Sequence, residues 1–353
     1  MTVKPDASTR PETATAPARA GLLFGIGAYG LWGLLPLYFL TLAPAGPVEI
    51  VSDRVLFSLV VCFVLIAVTR AWRSLGAVLR SGRVFWALAL AAALIAVNWL
   101  TYTFGVLTGH TIEAALGYFI NPLVSVLLGV LVLKERLRPI QWAAVGTGAV
   151  AVVVLTVAYG QVPWIALILA FSFGFYGLVK NRVGAKVDAV TSLTVETIVL
   201  APVALGVVVW LGVAGTLTLT GYGAGHFWLL AASGIITAVP LLFFGAAARR
   251  LPMTTIGLLQ YIAPVMQFIM AVTVLGEHMA PERWIGFGIV WLALAVLTAD
   301  MLLVSRRRRM NLRRAGLATQ SEAQSAADLA DREDSAAVAA QTSTGQLRAP
   351  HEA

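Results

Sequence analysis

Along 353 residues, a few polar side chains stand inside long apolar runs, and their types suit gripping a solute or passing a proton. Glu49, Asp53 and Arg54 fall in the first two turns of one apolar segment, with Arg54 ~10 Å from its start at 1.5 Å per residue. Asn98 and Tyr102 share a helix face at i and i+4. Glu113, Gly117 and Asn121 share another at i, i+4 and i+8, with Tyr118 beside them. Gln260 and Gln267 flank Pro264 on roughly one face. Arg54 offers a planar fork of donors to an anionic group. Arg54, Asn98, Tyr102, Glu113, Tyr118, Asn121, Gln260 and Gln267 are therefore the expected substrate-binding or cavity-lining set. Glu113 and Glu196 are the expected proton-coupling acids, because burial favours the protonated form of a carboxylic acid.

Each residue also has a purely structural reading. Arg54 could snorkel to headgroups or pair with Glu49 or Asp53. Glu113 lies in a first helical turn, where a carboxylate favours the positive helix end. Asn98 and Asn121 could bond helix to helix, and Glu196 could serve packing alone.

Bond-making chemistry lacks its usual apparatus. No G-x-x-x-x-G-K-[ST], no H-E-x-x-H, no Cys/His cluster and no G-x-S-x-G turn occurs. His110, His226, His278 and His351 are scattered, and the lone Cys62 lies in an apolar run without metal-ligand spacing. Neither an enzyme activity, a metal nor a cofactor is expected. A membrane enzyme or sensor without transport remains the alternative to a carrier.

The elements that must hold these residues are membrane helices. Hydrophobic residues make up 59% and charged residues 12% of the chain, against about 25% charged in a soluble domain, and mean hydropathy is +0.85. Crossing about 30 Å of hydrocarbon takes roughly 20 apolar residues. Ten segments qualify: 21–42, 48–69, 84–107, 112–133, 139–158, 162–179, 190–213, 227–248, 253–275 and 284–304. Gly160-Gln161-Val162-Pro163 supplies the break between the fifth and sixth. The segment Met1–Ala18 is polar and rich in Pro and Thr, so the first apolar helix is expected to act as an uncleaved insertion signal.

With ten spans, almost every basic loop falls on one side. Lys4, Arg10 and Arg19; Arg70 to Arg83; Lys134 to Arg138; Lys180 to Lys186; Arg249 and Arg250; and Arg306 to Arg314 all alternate correctly, leaving Arg283 alone opposite. Positive loops stay inside, so both termini are expected in the cytoplasm. The net charge of +8 then serves topology rather than nucleic acid.

One motif occurs twice. I-N-P-L-V from Ile120 and I-A-P-V-M from Ile262 open the two copies. At a constant offset, Pro122 aligns with Pro264, Leu133 with Leu275, Glu135 with Glu277, Pro139 with Pro281, Trp142 with Trp284 and Gly146 with Gly288. Five spans per half make the halves antiparallel, an arrangement seen in secondary transporters. The expected domains are a cytoplasmic N-terminal tail (1–20), a first repeat (21–158), a second repeat (162–304) and a disordered cytoplasmic tail (305–353), basic at first and then polar.

Prolines interrupt several spans. Pro36, Pro122, Pro202, Pro240 and Pro264 free the carbonyls of Trp32, Tyr118, Ile198, Ile236 and Gln260. Paired bends are expected at Pro122 and Pro264. Trp32 and Tyr176, each between glycines at the start of a half, are candidate gates alongside the kinks at Pro36 and Pro240, although packing would explain them too.

These residues resemble the EamA branch of the drug/metabolite transporter superfamily, in its RarD-like group, from Gly21 to Val304. The resemblance rests on Asn98-Trp99 with Tyr102, on Glu113 to Leu123, on Glu135-Arg136-Leu137, on Ser172-Phe173-Gly174 with Tyr176-Gly177, on Glu196-Thr197, on Thr237 to Leu242, and on Leu259 to Ile262 with Pro264. Family members commonly carry His-Arg where this chain has Asp53-Arg54. The resemblance implies an all-α fold of ten helices in two inverted five-helix repeats. The expected partners are a small-molecule substrate and the lipid bilayer. The expected function is carriage across the cytoplasmic membrane by alternating access, in the export direction. Substrate and oligomeric state do not carry over.

Overall fold

The computed structural model describes residues 16–134, 137–184, 187–248, 250–281, 283–304, 306 and 310. The expectations for the two tails, and for Glu135, fall largely or wholly outside these residues. The chain divides into two units, Met1–Thr298 and Ala299–Ala353; described residues of the second are helical through Val304.

Every regular element among the described residues is a helix. In order they are α1 (Ala16–Gly33), α2 (Leu35–Thr41), α3 (Pro47–Thr69), α4 (Trp72–Arg80), α5 (Gly82–Leu107), α6 (Thr111–Leu133), α7 (Pro139–Tyr159), α8 (Trp164–Gly184), α9 (Ala189–Val213), α10 (Gly223–Ala248), α11 (Met253–Leu259), α12 (Ile262–Thr273) and α13 (Arg283–Val304). Nine spans are long and apolar enough to cross a membrane, and α1 with α2, bent by 41°, would make a tenth. The predicted break after the fifth span is real: Gly160 ends α7 at φ +68°, a conformation glycine adopts freely.

Three features sharpen or differ from the expectation. The first span breaks at Leu34. Pro36, second in α2, has no N–H for Trp32 O, and that carbonyl instead accepts a hydrogen bond from Gln267 Nε2 at 3.0 Å. The ninth span breaks at Gln260–Tyr261, just ahead of Pro264 in α12. Pro122, by contrast, lies within a single helix, as do Pro202 and Pro240. Of the paired prolines, only Pro264 thus lies beside a break in its helix. The third difference is α4, within a stretch read as a basic loop. Its Leu75 and Val78 pack against Ile66, Leu88 and Val195, while Arg73 and Arg80 stay exposed.

Packing follows the internal repeat. The offset that aligns Pro122 with Pro264 carries Pro47, the start of α3, onto Ala189, the start of α9. It carries Lys134 onto Gly276, and both hold left-handed backbone, at φ +56° and +65°. α3 packs on α9 and α6 on α12. The contacts of α8 with α5 and α6 have counterparts in those of α1 with α10 and α12. Close approach serves both halves. A Cβ on Gly117 would lie 2.7 Å from Ala166 O, and one on Gly25 would lie 2.5 Å from Cδ1 of Leu259, the residue in the place of Gly117. In lipid such close packing, rather than exclusion of water, holds helices together.

Candidate functional site

Arg54 is the centre of the site. Its side chain is only 4% exposed, so it does not snorkel. Nor does it pair with Glu49 or Asp53: no salt bridge to either occurs among the described residues. Its Nε donates to Thr237 Oγ1 of α10 at 2.7 Å. Its guanidinium carbon lies 4.2 Å from the centre of the Trp99 ring and 6.0 Å from that of Phe39, distances at which a ring's negative face attracts a cation. Tyr38, Tyr102 and Tyr118 stand within electrostatic reach. A buried cation normally keeps a paired anion; here the neighbours supply aromatic faces and one hydroxyl.

From Arg54 a row of rings crosses the interior. Phe39 contacts Tyr102 (centroids 5.9 Å apart), Tyr102 contacts Tyr118 (5.6 Å), Tyr118 contacts Phe173 (6.0 Å) and Phe173 contacts Tyr176 (5.8 Å). Lys180 closes the row, its Nζ 5.5 Å from the Tyr176 ring. Two cations therefore bracket five aromatic rings drawn from α2, α5, α6 and α8. Asn98 fixes the middle. Its Nδ2 donates to Leu169 O and Ser172 Oγ, both at 3.1 Å, and its Oδ1 accepts from Tyr118 Oη at 3.0 Å.

At the Lys180 end, Glu196 is 2% exposed and fully engaged. Its Oε1 accepts from Lys180 Nζ at 2.6 Å and from Ser192 Oγ at 3.0 Å, and its Oε2 from Tyr176 Oη at 3.2 Å. The repeat offset carries Arg54 onto Glu196, so charged residues of opposite sign hold equivalent places on two helices that pack together.

The other expected site residues divide by what they touch. Glu113 Oε1 accepts the N–H groups of Ile165 (2.9 Å) and Ala166 (3.4 Å), capping the start of α8. Glu277 does the same for α6, taking the N–H groups of Thr111 (2.6 Å) and Ile112 (2.8 Å). Glu49 takes those of Thr218 (2.6 Å) and Leu219 (2.9 Å) ahead of α10. Gln267 ties α12 to Trp32, whose ring packs on Tyr29 and Phe244. Asn121 Oδ1 is buried without a hydrogen-bond partner on the α6 face toward Gly174, and Gln260 is half-buried at the break in the ninth span. Of the expected set, the structure joins Asn98, Tyr102 and Tyr118 directly and Arg54 to them through Phe39. Glu113, Gln260 and Gln267 make no hydrogen bond or ring contact with that group among the described residues.

Reading the sequence missed Lys180, Phe39 and Thr237, which carry no periodic signal of their own. It named Asp53 but left it out of the expected set. That side chain is wholly buried, and among the described residues neither carboxylate oxygen has a hydrogen-bond partner. Its signals were a charge in an apolar run and the replacement of histidine ahead of the arginine.

Comparison with known proteins shows the family. The model of the EamA-like transporter family matches twice, at residues 19–157 and 162–299, once in each half. Protein RarD of Streptomyces exfoliatus is 52% identical over 294 residues, covering 83% of this chain and 93% of that protein. Protein RarD of Escherichia coli (strain K12) is 39% identical over 289 residues, covering 82% and 97%. An uncharacterized transporter of Bacillus subtilis (strain 168), YojE, is 38% identical over 288 residues, covering 80% and 95%. A solved crystal structure aligns with a TM-score of 0.53 at 19% identity, over 79% of this chain and 97% of that one, and speaks to the fold alone. Matched in both halves and along most of its length, the chain is a multi-pass membrane protein that belongs to the EamA-like transporter family.

Proposed function

We propose that this protein is a secondary carrier that moves a small metabolite or drug across the cytoplasmic membrane by alternating access, in the outward direction. The observation that carries the reading is the buried, carboxylate-free Arg54 at one end of a row of aromatic rings. A cation so placed costs free energy unless it meets an anion during the working cycle. Its position on helices that repeat across the two halves is where carriers of this architecture bind their solutes.

Two inverted five-helix repeats, 21–158 and 162–304, are favoured by the shared offset of α3 with α9 and by packing that is preserved when the halves are exchanged. The loop arginines favour cytoplasmic termini. Coupling to protons would run through an acid that changes surroundings as the halves rock. Glu113 is held by two backbone amides and Glu196 by three side chains. Asp53 is held by none, and a carboxylate with neither solvent nor donor has little to stabilise its charge. Asp53, with Glu196 as the second candidate, is the better proton carrier.

The test compares metabolites inside and outside cells that overexpress or lack the protein, then follows the changed compound in proteoliposomes. Release of that compound unchanged, dependent on the protein, supports a carrier. Chemical conversion without movement would replace it with a membrane enzyme.

A further inference from the structure

We infer that the solute gripped at Arg54 is an organic anion with a flat aromatic body, a carboxylate being the group that meets the guanidinium. The inference rests on the carrier reading and adds the chemical class of the cargo. Three observations converge on it. First, Arg54 uses only Nε in a hydrogen bond, to Thr237. Nη1 and Nη2 make none among the described residues, so the edge suited to bidentate capture of a carboxylate is unspent. Second, Tyr102 lies between Phe39 and Tyr118, 2% exposed, and among the described residues its hydroxyl has no partner. A buried phenol normally finds one. Its ring and the Arg54 guanidinium flank the same Phe39 ring, at 5.9 and 6.0 Å, so both unspent donors belong to one end of the row. Third, the neighbours of these donors are rings: Trp99 covers the guanidinium face, and the row running on to Tyr176 is of the kind that makes edge and face contacts with a flat body.

The competing classes fit less well. An organic cation would meet rings already shared with Arg54 and would be repelled by it. A neutral aromatic would leave the guanidinium edge unpaired. An aliphatic acid such as acetate would forgo the ring contacts. Asp53 does not neutralise the arginine by contact: neighbouring residues leave a helix about 100° apart, and no salt bridge joins them among the described residues.

The test uses the full-length purified protein in detergent and radiolabelled phenylacetate as probe. Unlabelled phenylacetate, benzoate, phenylacetamide, phenethylamine and acetate serve as competitors. Saturable binding of phenylacetate is expected, with displacement by benzoate. The neutral amide and the amine should displace at least tenfold more weakly, and acetate about tenfold more weakly, where tenfold corresponds to about 1.4 kcal/mol. Arg54→Gln should abolish binding. Tyr102→Phe, which keeps the ring, should weaken it about threefold to tenfold if the hydroxyl contributes one hydrogen bond. Should Arg54→Gln fail to fold, the competition series and Tyr102→Phe decide alone. Displacement by phenethylamine or phenylacetamide as effective as that by benzoate would overturn the inference. So would parental binding by Arg54→Gln, or no saturable binding of phenylacetate or benzoate up to about 1 mM. Proteoliposomes separate this inference from the carrier reading. Binding of phenylacetate without its release from loaded vesicles would sink the carrier and spare the anion site. Release of some other solute by a protein that binds none of the anions would do the reverse.

Discussion

At the scale of single residues, the proposed chemistry rests mostly on Arg54 and Asp53, and they test different things. Arg54→Lys keeps the charge but replaces the planar fork with a point donor, and it also loses the flat stacking on Trp99. Losing one charge-assisted hydrogen bond costs about 1.5 kcal/mol or more, so transport kcat/KM should fall roughly tenfold, and further in Arg54→Gln. Parental transport by well-folded Arg54→Gln would leave Arg54 a packing residue. Asp53→Asn is nearly isosteric and removes the titrating group. If Asp53 carries the coupled proton, the variant should still exchange solute but no longer accumulate it under a pH gradient, whereas Glu113→Gln should still accumulate it. The opposite pattern would return coupling to Glu113. Arg54 was legible in the sequence because a charge in an apolar run needs a reason. The commitments of Glu49, Glu113 and Glu277 were not, because holding another helix end or a connecting segment depends on which backbone lies alongside.

Elements were the more legible level. The periods and turns of the sequence placed the long spans to within a few residues, since hydrophobic length alone dictates them. Pro36 and Pro264 signalled the interruptions of the first and ninth spans; what escaped answers to partners: Gln267 accommodates the freed carbonyl of Trp32, and a hydrophobic shelf takes Leu75 and Val78 of α4. Gly117 shows how closely α6 and α8 depend on each other. Any Cβ there meets the backbone of Ala166, which cannot swing aside. Gly117→Val should lower stability by about 1–3 kcal/mol, the usual cost of overpacking, read as a drop in melting temperature in detergent. An unchanged melting temperature would mean that the two helices part easily. Asp188, just before α9, gives a pH prediction. Burial works to raise its pKa, but hydrogen bonds from Thr191 and Ser74 outweigh it, and the net direction is downward. A depressed folded value contributes stability above the unfolded value and loses it as pH falls through the folded one. Melting temperature should therefore fall in acid below about pH 3.9. Part of that slope should disappear in Asp188→Asn, which retains an oxygen able to cap the helix. An identical slope in the variant would show that other carboxylates govern it.

For the whole molecule, the internal repeat gives the row of rings its meaning. Arg54 and Glu196 correspond, yet one has no charged partner while the other holds Lys180. This asymmetry is what a carrier caught in one of two states would show, with one end of the pathway latched. On this view Lys180 serves twice, pairing with Glu196 in this state and facing the passing anion once the pair opens. Stability and transport separate the two roles. Lys180→Met alone leaves Glu196 with only Ser192 and Tyr176 as donors and should cost up to about 3 kcal/mol, less than breaking a fully buried pair because Lys180 is 28% exposed. Lys180→Met combined with Glu196→Leu removes both charges. It should recover most of that loss, because apolar replacements of a buried pair are often neutral or better. Transport should nonetheless stay at least tenfold below the parent, since the second cation is gone, a deficit of about 1.4 kcal/mol or more. A double variant that regains both stability and transport would reduce the pair to a structural latch. The row of rings would then lead from Arg54 to a mere closure, with no second site for the anion at its far end.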